Sequence, residues 1–251
     1  MKTVVVLAAH KPCVLPDDAL YLPVQAGAEG RDAFLPMGDN TGDHISQKNP
    51  FYCELTVLYW AWKNLDCDFL GLAHYRRLFR GRGKQPLTLP EAEARLSCCP
   101  ILLPKKRHYV IETLDAHYRH TLDPGPLDET RAILAEKFPA YLPAFDRLKK
   151  RRSAHMFNMM IMRRDLLDAY CTFLFALLGE LEQQVDVSQM DAFHARFPGR
   201  ISELLLDVWL ETEGHAYEEV PMLYTEKVNW WKKGTGFLKA KFFGKKYEKS
   251  F

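Results

Sequence analysis

The chain has 251 residues, 47% of them hydrophobic and 12% aromatic, which is too much apolar material for a disordered chain and enough for one large α/β domain or two small ones. A formal net charge of +2 speaks against general nucleic-acid binding. Six cysteines, Cys13, Cys53, Cys67, Cys98, Cys99 and Cys171, include no Cys-x-x-Cys pair, so neither a zinc site nor a disulfide framework is indicated, and reduced thiols in a cytoplasmic protein are expected.

Thr3–Ala9 is β-branched and apolar throughout and is expected to be the first buried strand. The start superficially resembles a secretory leader, but its apolar run is at the lower length limit and His10-Lys11-Pro12 follows at once, so a first buried strand is the better reading. No apolar run in the chain approaches the ~20 residues needed to span a bilayer. Tyr21–Ala26 is a weaker strand, and Asp39-Asn40-Thr41-Gly42-Asp43 has turn chemistry. Asn49 followed by Pro50 starts a helix reaching about Asn64, apolar on nearly every side except at Glu54 and Thr56. A strand over 68–75 comes next, then a basic loop over 81–90. A short helix near 90–97 leads to a strand at Pro100–Pro104, with Lys105, Lys106 and Arg107 at its end.

Helices are expected over 108–122, 127–137 and 139–150, the first stopped by Asp123-Pro124-Gly125-Pro126. Met156–Met162 reads as an apolar strand interrupted only by Asn158. Asp165 starts a long helix to about Gln184. Helices near 188–196 and 201–211 are expected to be separated by Pro198-Gly199. Strands alternate with helices early and helices dominate later, which argues for an α/β fold with a largely helical second half.

Chemistry concentrates at the strand Phe69–Ala73, which is apolar throughout and then stops in His74, Arg76 and Arg77. Ligands of open α/β sheets bind beyond the carboxyl ends of the strands. Three candidate cations there point to an anionic ligand, most simply a phosphate or pyrophosphate; the alternative is a solvated basic turn. His10 and Lys11 end the first strand and belong at the same edge. Asp39, Asn40, Asp43, Ser46, Lys48 and Asn49 form a dense polar group before a buried helix. They are either turn and cap residues or a grip on a ligand's polar edge.

Glu54 in an aromatic helix must be paired or protonated. It forms either a structural pair with Arg76 or Arg77, or a support that orients one of them. Asn158 either satisfies neighbouring backbone or binds a sugar hydroxyl. Glu203 is either a favourable acid near a helix start or a general base beside an acceptor hydroxyl, with Asp191 as its competitor. Asp66-Cys67-Asp68 has the spacing of a metal-binding Asp-x-Asp but precedes its strand. It therefore lies at the opposite edge, and no metal site is assigned.

The last residues, 226–251, hold eight Lys and two Glu, a net charge of +6 that leaves −4 for the rest. Phe237, Ala240, Phe243, Tyr247 and Phe251 fall on one helical arc and Lys239, Lys241, Lys245, Lys246 and Lys249 on the other. This basic aromatic tail reads either as a membrane-surface helix or as a helix docked on its own domain.

The sequence resembles a bacterial family that makes capsular polysaccharide and exopolysaccharide, long described only as a domain of unknown function, some of whose members are galactofuranosyltransferases. The resemblance is carried by His10-Lys11, the run Asp39–Asn49, Tyr52-Cys53-Glu54-Leu55-Thr56, Tyr59–Asn64, Gly71–Arg77, Phe157-Asn158-Met159 and Tyr170–Phe175, and it covers about residues 3–225. One departure is that the family's Glu-Arg-Leu is here Glu203-Leu204.

The resemblance implies a glycosyltransferase with a GT-A-like, Rossmann-type sheet. Residues 1–225 would form the transferase domain and residues 226–251 the tail. A UDP-sugar would be the donor, galactofuranose among the sugars allowed, and a growing lipid-linked surface polysaccharide the acceptor. His10, Lys11, Asp39, Asn40, Ser46, Asn49 and Asn158 would contact the donor. His74, Arg76 and Arg77 would stabilise the departing pyrophosphate in place of a metal, Glu54 would support them, and Glu203 would be the catalytic base. No cofactor or nucleic acid is expected, and a divalent metal is the less favoured alternative to these cations. The place of action would be the cytoplasmic face of the inner membrane, held there by 226–251. The rival readings are a non-catalytic glycan- or phosphate-binding assembly protein and a sugar-phosphate transferase.

Overall fold

The computed structural model describes residues 1–188 and 190–226; the basic tail proposed over 226–251 lies, apart from Glu226, outside the described residues. Ten strands and eight helices follow one another as β1 (Thr3–Ala9), β2 (Tyr21–Gln25), α1 (Asn49–Tyr52), α2 (Leu55–Asn64), β3 (Phe69–His74), β4 (Arg77–Phe79), α3 (Leu89–Leu96), β5 (Ile101–Pro104), β6 (Arg107–His108), α4 (Leu114–Thr121), α5 (Gly125–Lys137), α6 (Leu142–Lys149), β7 (Ser153–Ala154), β8 (Met160–Arg163), α7 (Arg164–Gln184), α8 (Phe197–Glu213), β9 (Glu218–Val220) and β10 (Met222–Tyr224). The expected α/β architecture with a helical second half is present.

The sheet is mixed. Strands β2, β1 and β3 are parallel neighbours, with Ala8 opposite His74. Strand β8 runs antiparallel between β3 and β5, so β5 points the same way as β3, and β9 is parallel to β5. The carboxyl ends of β1, β3 and β5 therefore open onto one edge. Strand β8 covers β3 only from Phe69 to Leu72. Beyond it, His74 pairs with Arg77 of β4 across a tight turn at Tyr75 and Arg76. Gly71 sits at the crowded centre, where a Cβ would come within 2.6 Å of the Met160 carbonyl oxygen.

Side chains alternate between two faces of the sheet, as a period of two dictates. Val6, Ala8, Leu70 and Leu72 join a large core with α2 and α5 to α8. Val5, Leu7, Phe69 and Ala73 join a smaller one with Leu78, Phe79 and the Ala92 and Leu96 of α3. The helices thus sit mainly on one face, which places the second half of the chain over the β1/β3 edge.

Four expectations are corrected. The helix over 49–64 is broken at Cys53, whose φ of 54° and ψ of −131° end α1 and let α2 restart. The strand expected from Met156 begins only at Met160, because Phe157 and Asn158 are both left-handed, with φ of 77° and 54°. Among the described residues of 188–196 the one helical element is a 3-10 turn at His194–Arg196, and the Asp191 carboxylate, in the segment before it, accepts the backbone N–H groups of Phe193 and His194. Pro198 and Gly199 do not separate two helices. They lie in the first turn of α8, where a proline gives up an N–H that has no partner in any case.

Candidate active site

A cavity of about 610 Å³ opens at the carboxyl edge of the sheet. The end of β1 brings His10 to it, the β3–β4 turn brings His74, Arg76 and Arg77, and the segment after β5 brings Arg107. The start of α8 brings Arg196, Arg200 and Glu203, spaced by four and three residues so that they share one helix face. Glu54 enters through the break between the two helix segments. Of the sequence-predicted residues, the structure therefore brings together His10, Glu54, His74, Arg76, Arg77 and Glu203.

Five guanidinium groups, those of Arg76, Arg77, Arg107, Arg196 and Arg200, line the cavity, and none forms an ion pair among the described residues. Aromatic rings or sulfur hold them instead. Arg77 lies 4.1 Å from the Phe157 ring, Arg200 3.8 Å from Phe193, Arg107 4.8 Å from Tyr109 and Arg76 5.5 Å from Tyr75. Arg196 donates Nε–H to the Cys53 sulfur at 3.1 Å. The Nε groups of Arg76 and Arg77 and one terminal nitrogen of Arg200 are buried without a hydrogen-bond partner among the described residues. Ring contacts fix a guanidinium in place without cancelling its charge. A buried donor left unmade is costly, so such an arrangement fits a cavity whose donors are completed by an anion.

His74 does not supply the third cation expected from the sequence. Burial first, and then the Arg76 guanidinium, hold its imidazole far below its ordinary value, so it is neutral. Its Nδ1 accepts the Arg76 backbone N–H at 3.3 Å, as a neutral ring can. His10, whose ring centre is 5.8 Å away, is lowered to about 4 by burial and then by Arg196 and Arg76. The fixed positive charge lining the cavity is that of the arginines.

Glu203 shows the opposite shift. Burial and then the Glu54 carboxylate push it up to about 7, against the pull of Arg107 and Arg77. One of its oxygens accepts the Phe157 backbone N–H at 3.2 Å, a contact that the left-handed turn at Phe157 makes available. A carboxylate titrating near neutrality beside unpaired cations is suited to taking a proton.

The Asp39–Asn49 loop, expected to hold the donor, lies off the cavity. Asp39 is fully buried, and its carboxylate accepts the backbone N–H groups of Gly27 and Ala28 and the hydroxyls of Ser46 and Thr56. Asn49 spends its amide on the Cys53 carbonyl and Thr56, which braces the helix break. Asn40 is not among the cavity residues. Asn158 is also inward: its amide donates to Glu54 at 2.9 Å and to the Gly199 carbonyl, and its oxygen accepts from Ser202. Lys11 turns to solvent and pairs with Glu226 at 3.1 Å. These residues build and orient the site's frame: Asp39 and Asn49 hold the Cys53 break, and Asn158 positions Glu54. Glu54 itself pairs with neither Arg76 nor Arg77.

Sequence reasoning missed Arg107, Arg196 and Arg200 as site residues. Arg107 follows a strand that ends at the same edge as His74, so the strand-end rule could have found it. The separation imposed at Pro198-Gly199 hid the common face of Arg196, Arg200 and Glu203.

Among the described residues no cluster of His, Cys, Asp and Glu has the geometry to hold a metal ion, and no helix is long and apolar enough to cross a membrane. Residues 4–214 match the family described as Domain of unknown function (DUF4422). No curated protein matches the chain. Among solved structures, the chain is similar to the WbbM bifunctional glycosyltransferase in its apo state, with a TM-score of 0.84 and 26% sequence identity. The match covers 90% of this chain and 46% of that one, so this chain spans about half of that protein's length. The mixed sheet with its helical second half is thus a GT-A-like, Rossmann-type fold shared with that protein.

Proposed function

We propose, from the premise that this chain belongs to the DUF4422 family, that residues 1–225 form a glycosyltransferase domain acting on a UDP-sugar, galactofuranose among the sugars allowed, and a growing lipid-linked polysaccharide. The observation that carries the reading is the set of five guanidinium groups around one cavity, unpaired among the described residues. Similarity to a bifunctional glycosyltransferase supports it.

In this reading the diphosphate lies across Arg76, Arg77 and Arg196, beside the neutral rings of His10 and His74. An acceptor hydroxyl attacks the anomeric carbon, the bond from that carbon to the diphosphate oxygen breaks, and UDP leaves with the electron pair. Charge grows on the leaving group as the bond breaks, and fixed cations in a shielded site act most strongly there. Glu203 takes the hydroxyl proton where the reaction inverts the anomeric centre. The arginines do the work of a divalent ion, so turnover is expected to be independent of metal.

The test is UDP release from a panel of UDP-sugars, with and without chelator. Slow release of UDP that persists in EDTA is expected, since transferases leak to water. Loss in EDTA restored by manganese would contradict the cationic role, and release of UMP would assign sugar-phosphate transfer instead.

A further inference from the structure

We propose that the rim of this cavity, formed by the β6–β7 ribbon and the loop that follows β6, docks on an anionic lipid bilayer. Val110 and Ile111 stand at the tip of that loop, 83% and 56% exposed. Both line the cavity mouth. Two adjacent aliphatic side chains bared to this extent are costly to leave in water and mark a contact surface.

Basic side chains surround them. Lys105, Arg107 and His108 are exposed on the near side. The ribbon pairs Arg107 with Ala154 and His108 with Ser153, which brings up the basic run just before β7. The Tyr109 N–H donates to the Arg152 carbonyl at 2.7 Å and the Leu114 N–H to that of Arg151 at 2.8 Å, so the apolar tip is tied to this run at both ends. Within the run, Arg151 pairs with Glu211 and Lys149 with Asp146 at 3.6 Å. Lys150 and Arg152 are exposed and, like Lys105, form no ion pair among the described residues. Lys106 turns aside to the Tyr217 hydroxyl at 3.0 Å.

An aliphatic tip ringed by free cations matches the layers of an anionic membrane: apolar chains below, phosphate above. Val14, 92% exposed, lies in the loop after β1. The consequence for substrate rests on the transferase reading: an acceptor with its lipid in the bilayer would meet the cavity mouth at the membrane plane. Docking itself needs no turnover, so the two stand or fall separately.

The test is sedimentation of the full chain with vesicles of phosphatidylcholine and phosphatidylglycerol in a two-to-one ratio, and with phosphatidylcholine alone. Binding is expected to the anionic vesicles and to weaken with salt. Val110→Asp/Ile111→Asp and Lys150→Glu/Arg152→Glu are each expected to lower the partition coefficient about tenfold or more, with melting temperatures unchanged. Lys150→Glu/Arg152→Glu is also expected to leave UDP-sugar hydrolysis intact. In a second measurement, Val110→Trp is expected to add fluorescence that brominated lipid quenches. Equal binding to phosphatidylcholine alone, no binding at all, or an unquenched tryptophan would overturn the proposal. So would rim variants that bind like the unaltered chain while Lys239→Glu/Lys241→Glu in the tail does not.

Discussion

Two polar clusters stand side by side in this molecule and behave oppositely. Around Asp39 every donor meets an acceptor: two backbone N–H groups and two hydroxyls converge on one buried carboxylate. Around the cavity, five guanidinium groups meet rings, a thiol and space, and three of their nitrogens are buried with nothing to bond among the described residues. A saturated cluster stabilises the native chain and has nothing left to offer a ligand. An unsaturated one costs stability in the free protein and has its donors ready for what binds.

Substitutions sharpen this contrast. The largest effect on stability is expected from Asp39→Ala, which strands the Gly27 and Ala28 N–H groups and should cost about 3–5 kcal/mol in chemical denaturation. A loss below ~1 kcal/mol would show that the cluster is not the brace described here. Arg77→Ala is expected to do the reverse: the protein keeps its denaturation midpoint, while kcat/KM falls by about 10²–10³, close to 3 kcal/mol of barrier. A variant that unfolds but turns over normally per folded molecule would erase the distinction.

Glu203 connects stability with chemistry. Its folded-state value is raised to about 7 from an ordinary 4.5, so the folded chain holds this proton more tightly than the unfolded one. Stability should therefore fall as pH rises from 4.5 to 7 and level off above, by on the order of 3 kcal/mol. Glu203→Gln should lack this slope and be the more stable protein at pH 8, although inactive. Turnover should rise through pH 7 as the carboxyl ionises; His10 and His74, neutral around pH 7, add nothing to the profile there. Melting curves against pH, with matched rate profiles, check both. The smallest effect is expected at Lys11, which is exposed and pairs with Glu226 at the surface. Lys11→Ala should change the donor KM less than about twofold, and a larger rise would return that residue to the site.

Much of the frame was legible because it depends on local pattern. The unbroken run of β1, the apolar β3 ending in His74, and the long α7 follow from residue type alone. The strand-end rule correctly placed His10, Arg76 and Arg77 at one edge. Saturation was not legible. Asp39 and Arg77 both read as polar residues near a helix or strand end, and only the fold shows that Gly27, Ala28, Ser46 and Thr56 close around the first. The breaks at Cys53 and at Phe157-Asn158 were equally hidden, because their left-handed backbones are imposed by contacts between distant segments, such as Asn158 with Glu54 and Gly199.

The central claim is that these arginines stay unpaired in order to hold a diphosphate. It is tested most directly by melting the protein with UDP and with uridine at equal concentration, and repeating both with Arg77→Ala. A ligand bound only by the folded state raises the melting temperature. A rise with UDP, none with uridine, and loss of the UDP effect in the variant is the expected result. An equal rise with uridine, or a full UDP effect in Arg77→Ala, would contradict it.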